Sequence, residues 1–368
     1  MKIAILTIGG VDRTGTGKVI PCLLWLIEQL TASGHEVHVF VPMQEPQPDS
    51  WPLLGATVHN AGEGPWRLRM LRSIAREHRR SRFDVIHAFW SRMGAVAACA
   101  SKWLGVPMVL TLPGGDVVSL RDIGYGGRVM WRGRAELKLA ARAALRATVP
   151  SDFMRDLASA VGIETLTVPL GVDLRRWPPA PPRSRDVSRS LKLLHVASLN
   201  RIKDQTTLLR ALGHLKSRGL HFECRIIGFD TLGGEMQRLT ARLGLGEEVR
   251  FLGVVGHDKL REHYEWADIL VMSSRHEAGP LVMFEAALVG VPTVGTSVGH
   301  LADHSPHAAV AVAVADPVAL AEAIGAVAAD EERRLSLARS AQALSVRHDA
   351  AATARSFTEI YRDVSGRA

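Results

Sequence analysis

Residues 273–296 read SSRHEAGPLVMFEAALVGVPTVGT, and the reading of this stretch decides the fold. The run Asp268-Ile269-Leu270-Val271-Met272 before it reads as a strand, and Pro292-Thr293-Val294-Gly295 at its end reads as another. Between them Gly279-Pro280 opens a helix, with proline at the first helical position, where its missing N–H goes unused. Gly290 closes that helix and Pro292 stops its continuation. Strand, polar loop, short helix and strand form the repeating unit of a parallel sheet. In such sheets ligands bind at the loops on the carboxyl ends of the strands.

Two carboxylates sit in this unit: Glu277 in the loop and Glu285 inside the helix. Around Glu285 the helix is apolar on every side, so it should be buried. A lone carboxylate there needs a hydrogen-bonding partner. One reading makes Glu285 half of a structural pair. The other has it accept hydrogen bonds from ligand hydroxyls, while the helix N-terminus, Pro280 to Val282, faces an anion.

Outward from this unit the chain keeps the same alternation. In the first half strands are expected at 2–8, 36–41, 57–59, 85–88, 107–112 and 147–150, with another near 165–168. Helices are expected near 17–33, 65–80, 93–104, 127–145 and 151–160. In the second half the strands are 223–227, 249–252, 269–272 and 293–295 after a first at 191–196; the helices are 205–218, 235–243, 258–266, 281–289 and 317–329. The expected domains are 1–173 and 191–349. Residues 174–190, with Pro178, Pro179, Pro181 and Pro182, read as a stiff linker, and a last helix over 350–368 could cross back to the first domain. A chain of 368 residues has the length of two such domains.

The loop after the first strand, Gly15-Thr16-Gly17-Lys18, fits neither of two nucleotide motifs. Asp12 breaks the Gly-x4-Gly-Lys phosphate-loop spacing, and Ile20 takes the third glycine of a dinucleotide fingerprint. The second strand also runs to Val41-Pro42 without a ribose-binding acid, which disfavours a nicotinamide enzyme. What remains is either a simple strand-to-helix turn or a flexible turn in which Gly15 and Gly17 let the backbone approach a phosphate or sugar.

With these residues in place, the chain resembles the retaining family-4 glycosyltransferases. The Glu-x7-Glu signature of that family is matched by Glu277-Ala278-Gly279-Pro280-Leu281 and Glu285-Ala286. Further matches are Val196-Ala197-Ser198-Leu199-Asn200-Arg201-Ile202-Lys203-Asp204, Ile226-Ile227-Gly228 and Thr296-Ser297-Val298-Gly299-His300. The resemblance implies an α/β GT-B fold, two Rossmann-like parallel-sheet domains facing across a cleft, and transfer from a nucleotide-diphosphate sugar. It implies that Lys203 and the backbone from Gly279 through Pro280 and Leu281 to Val282 hold the diphosphate; Ser198 stands where the family has arginine, which leaves half of that clamp missing, and Arg201 in the same loop is the candidate to replace it. It also implies that Glu285 binds the ribose and that Glu277 acts against the donor sugar, with Gly15 and Gly17 on the donor side. His87, Gly115 and Asp116 would lie on the acceptor side, where Phe89 and Pro113 replace the usual histidines; taken singly, His87 reads equally as a satisfied core histidine. The acceptor class left open is a glycan, a lipid-linked sugar or a small molecule.

No Asp-x-Asp occurs in the chain, which agrees with a reaction needing neither metal nor cofactor beyond the donor co-substrate. A non-catalytic sugar-nucleotide-binding protein, or a GT-B epimerase or phosphorylase, remains the alternative. The net charge of +8 is concentrated in 66–82 and 128–146, two arginine-rich helices. Each is either a solvated face or a peripheral contact with an anionic membrane; no nucleic-acid motif accompanies them. Three scattered cysteines and a first strand beginning at Lys2 suggest a cytoplasmic protein without a leader.

Overall fold

A computed structural model of the chain describes residues 1–15, 17 and 19–366, so Thr16 and Lys18 of the glycine-rich loop lie outside the described residues. Its contacts divide it into two units: residues 1–173 with 348–368, and residues 174–347.

The first unit begins β1 (Lys2–Leu6), α1 (Pro21–Ala32), β2 (Glu36–Val41), β3 (Asp49–Leu53), β4 (Ala56–Asn60) and α2 (Trp66–Arg80). It continues β5 (Val85–Phe89), α3 (Ser91–Leu104), β6 (Met108–Thr111), α4 (Trp131–Ala143), β7 (Arg146–Val149), α5 (Asp152–Ser159) and β8 (Leu166–Thr167). The sheet order is β3-β4-β2-β1-β5-β6-β7-β8. All pairs are parallel except β3 with β4. Strands buried on both faces read as continuous apolar runs, and β1, Lys-Ile-Ala-Ile-Leu, is buried throughout. Ile3, Ile5, Val39 and Val85 pack in one core with Leu26, Leu30, Phe357 and Tyr361.

The second unit runs β9 (Leu191–Val196), α6 (Gln205–Ser217), β10 (Phe222–Ile227), α7 (Glu235–Arg242), β11 (Val249–Gly253), α8 (Leu260–Trp266) and β12 (Ile269–Met272). Next come α9 (Leu281–Leu288), β13 (Thr293–Thr296), α10 (His300–His304), β14 (Ala309–Val312), α11 (Pro317–Ala329) and α12 (Glu331–Arg347). Its sheet is wholly parallel, in the order β11-β10-β9-β12-β13-β14. The last helix, α13 (Ala350–Ser365), groups with the first unit and packs on α1.

Besides the short α10, three features differ from the sequence expectation. Strand β3 carries Pro52, which argues against a strand, yet it is the antiparallel edge strand, where a missing N–H is tolerated. Strand β14 at the other sheet's edge was not foreseen either. The proline-rich stretch expected as a linker is instead held on the second unit. Ala180 N–H donates to Leu288 O (2.8 Å), Gln342 Nε2 donates to Ala180 O (2.7 Å), and the buried Arg334 guanidinium donates to Arg183 O at 2.5 Å.

Candidate functional site

In the second unit the strand order reverses at β9 and β12. The chain passes from β9 outward to β10 and β11, then returns to β12 on the other side of β9. Loops leaving neighbouring strands at such a reversal diverge and leave a crevice at the carboxyl ends. Here those loops are 197–204 after β9 and 273–280 after β12, the two that carry Lys203 and Glu277.

Backbone and hydroxyl hydrogen bonds stitch the two loops together. Arg275 N–H donates to Ile202 O (2.7 Å), and Ser273 Oγ donates to Lys203 O (2.8 Å). Asp204, in a left-handed conformation (φ 46°), caps α6 by accepting from Thr207 N and Oγ1. Asn200 accepts from Lys203 N–H, so the lysine's backbone is fixed from both sides. From this frame Lys203 Nζ reaches Glu277 Oε1 at 2.5 Å, and Ser274 Oγ donates to the same oxygen at 2.6 Å. The ammonium is about a quarter exposed and the carboxylate about a tenth, so the pair is screened from bulk water yet reachable. Gly299, at φ 53°, stands where any Cβ would press on the Glu277 and Ala278 carbonyls, which makes glycine necessary beside this loop.

Helix α9 follows at once. Its first residue is Leu281, with Pro280 as extended N-cap rather than first helical residue. Its end forms a Schellman motif: Val291 N–H donates to Ala286 O, Gly290 N–H donates to Ala287 O, and Gly290 takes φ 76°. Glu285 is buried, and both its oxygens are engaged. His257 Nε2 lies 2.8 Å from Oε1, and Tyr264 Oη donates to Oε2 at 2.8 Å. Burial and the adjacent carboxylate push the Tyr264 hydroxyl well above its usual pKa, so it stays a donor. Trp177 stands edge-on to Tyr264 and close to His257, closing this cluster. Neither Tyr264 nor His257 was singled out from sequence; polar aromatic side chains at the end of α8 and just before it were the available signal.

Arg201 and Ser198 are exposed in the loop after β9, and Ser198 O accepts from Gln205 Nε2 (3.1 Å). Behind them His195 is buried against Val271 O (2.9 Å), and burial pushes its pKa down to about 4. Gly279, Leu281 and Val282 are half-buried at the start of α9. The nitrogens of His300 and His304 and a carboxylate oxygen of Asp303 come within 4.8 Å of one another, the set among the described residues that could ligate a cation.

In the first unit the sheet reverses between β1 and β5. The loop after β1 is held by Asp12 within it and by Gln44 from the loop after β2. Gln44 Oε1 accepts from Gly10 and Val11 N–H, and Asp12 Oδ1 accepts from Gly15 N–H (2.8 Å). Gly15 takes φ 68°, and a Cβ on Gly17 would collide with Asp12 Oδ2. After β5 Trp90 adopts φ 64°, a costly left-handed conformation for a bulky residue. Asp116 is buried beside it and accepts from Ser91 N–H and Oγ (2.8 and 2.7 Å) at the start of α3. Burial raises the Asp116 pKa. Gly115 leaves room for Tyr125, whose ring a Cβ would strike.

Of the two readings open for His87, the acceptor contact is corrected and the core histidine stands. It is fully buried under α13, with Nδ1 2.6 Å from Tyr361 Oη and Nε2 2.6 Å from Thr111 Oγ1. With both nitrogens used and its pKa pushed by burial to about 3, it is a neutral core residue. Among the described residues, no helix is long and apolar enough to cross a membrane.

Comparison with known proteins agrees with this architecture. A family model described as "Glycosyl transferases group 1" matches residues 190–330, and one described as "Glycosyl transferase 4-like domain" matches residues 19–171. The D-inositol 3-phosphate glycosyltransferase of Geodermatophilus obscurus is 28% identical over 90% of this chain and 83% of its own length. Sucrose-phosphate synthase from Thermosynechococcus elongatus superposes with TM-score 0.83 at 20% identity, each chain covered in full. Anabaena HepE, in complex with UDP and glucose, superposes with TM-score 0.76 at 19% identity over 99% of this chain and 100% of its own. One family model spans β9 to β14 and the other spans β2 to β8, and the chain belongs to the group 1, glycosyltransferase-4-like family, with the two-domain α/β GT-B fold.

Proposed function

We propose that this glycosyltransferase takes its sugar from a nucleotide-diphosphate donor and transfers it with retention of anomeric configuration, without a metal ion. The observation that carries the reading is the fixed ammonium–carboxylate pair of Lys203 and Glu277, one loop ahead of the α9 N-terminus. A leaving diphosphate gains negative charge as the C1–O bond breaks. A held cation and the N–H groups opening a helix stabilise that charge without reorganising.

In this reading Lys203 and the exposed Arg201 bind the diphosphate together with the backbone at 280–282. Glu277 lies against the donor sugar, and donor entry divides Lys203 between the carboxylate and the phosphate. Glu285, oriented by Tyr264 and His257, offers its remaining lone pairs to the ribose hydroxyls. The acceptor oxygen attacks C1 from the face the diphosphate leaves, and its proton passes to a departing phosphate oxygen. Uridine heads the list of nucleosides because HepE is seen with UDP. A phosphorylated polyol heads the acceptors because related enzymes are named for D-inositol 3-phosphate.

The test is nucleotide release from a panel of uridine-diphosphate sugars, with and without inositol phosphate and with and without a chelator, followed by NMR of the new anomeric linkage. Release that survives chelation and yields the donor's own configuration supports the proposal. An inverted linkage, or release abolished by chelator and restored by a divalent cation, contradicts it.

A further inference from the structure

The first unit carries a groove lined by none of the residues assigned above to the donor. It lies between the outer face of α2 and the β3–β4 edge, with a cavity volume of about 760 Å³. One wall is formed by Arg69, Arg72, Arg76 and Arg79, spaced three, four and three residues apart and therefore on one helix face. They span roughly 15 Å at the helical rise. The opposite wall brings Ser50 and the edge of His59.

Four like charges on one face repel one another, and among the described residues the one acid paired with any of them is at Arg76. The helix's one acid, Glu77, is buried, and its Oε1 faces Arg80 (2.9 Å) and Arg76 (3.7 Å). Asp49, the acid of the groove's lining, is claimed by Arg13. Arg69 is pinned by donating to Ala61 O (3.2 Å) and Glu63 O (2.5 Å), while Arg72 and Arg79 are exposed. Planar guanidinium forks in a concave, hydroxyl-lined wall match phosphate or sulfate oxygens. The β4 edge stands four strands from β6, roughly 19 Å away, so this is not the Gly115–Asp116 region after β6.

We infer that the groove between α2 and the β3–β4 edge is a second binding site, taking a ligand that carries two or more phosphate-type groups along the Arg69–Arg79 face. The ligand is either a free oligophosphate or the multiply charged headgroup of a lipid. Neither Lys203 nor Glu277 takes part, so occupancy does not depend on the donor reading.

The probes are inorganic tripolyphosphate, by calorimetry, and phosphatidylcholine vesicles carrying a phosphatidylinositol phosphate, by sedimentation. The protein is compared with the double variant Arg72→Ser/Arg79→Ser and with Arg132→Ser/Arg142→Ser, which removes equal charge from α4. Saturable binding that weakens about tenfold or more in the α2 variant alone supports the site. The probe that shows it, tripolyphosphate or vesicle, identifies the source of the phosphate groups. Absence of binding to both probes, or equal weakening in both double variants, overturns it. Unchanged thermal unfolding of the α2 variant shows that the fold is intact.

Discussion

The two sheet reversals make an instructive pair. At β9/β12 the loops are bound to each other, and their meeting point is a charged pair, Lys203 with Glu277. At β1/β5 the glycine-rich loop is held by Gln44 and Asp12, while the polar residue on β5, His87, is turned into the core under α13. The same topology thus yields a preorganised charge centre in one unit. In the other it yields a loop held by Asp12 within it and Gln44 from the next loop, with Trp90 strained after β5.

The largest expected effect breaks the charged side. Lys203→Ala should lower donor turnover by about 10²–10³-fold, the typical loss when one stabiliser of a developing anion is removed. Steady-state nucleotide release from a uridine-diphosphate sugar measures it. Next comes the cluster behind it. Glu285→Gln should weaken nucleotide binding more than turnover at saturation. Tyr264→Phe should reproduce part of that loss, on the order of tenfold, because one hydrogen bond to a charged group is gone. Calorimetric titration with UDP separates the two; Tyr264→Phe binding as well as the wild type would confine Tyr264 to packing.

On the first unit the same logic predicts stability effects and little change in chemistry. His87→Ala should cost about 2–3 kcal/mol, since it strands the Tyr361 and Thr111 hydroxyls in the core, and should leave KM for the acceptor unchanged. Denaturant unfolding and acceptor kinetics on one sample check both halves. A graded effect follows from pH. His87, His59 and His195 hold folded pKa values of about 3, 4 and 4, below the ordinary 6.5. As pH falls below 6.5 the unfolded chain takes up protons that the folded one refuses. Stability therefore drops by about 1.4 kcal/mol per histidine per pH unit until pH 4 to 3, and is unaffected by these groups above 6.5. His195→Gln should flatten that slope, as read by thermal unfolding from pH 7 to 4.

The fold was legible because its signals are local. Apolar runs bounded by Gly and Pro mark the strands, and Gly290 and Pro292 mark the end of α9. Glu277 and Glu285 stand out locally as acids in the loop after β12 and in the apolar helix behind it, whereas Lys203 is legible through the family resemblance, because a lone lysine carries no pattern of its own. What was not legible depends on distant partners. His87 became a core residue because Tyr361 arrives from 274 positions away. The proline stretch became part of the second unit because Arg334 and Gln342 reach back to it. Strand β3 was hidden by Pro52, whose cost vanishes only at a sheet edge. His257 and Tyr264 carry no pattern of their own, and their link to Glu285 exists only once α8 packs beside α9.

The central claim is that the carboxylate held by Lys203 and Ser274 faces the reacting sugar. It is tested most directly by Glu277→Gln, which keeps the shape and removes the charge. The account predicts near-wild-type UDP affinity by calorimetry together with a turnover loss of about 10²-fold or more across the uridine-diphosphate sugar panel. Full turnover in this variant would contradict it.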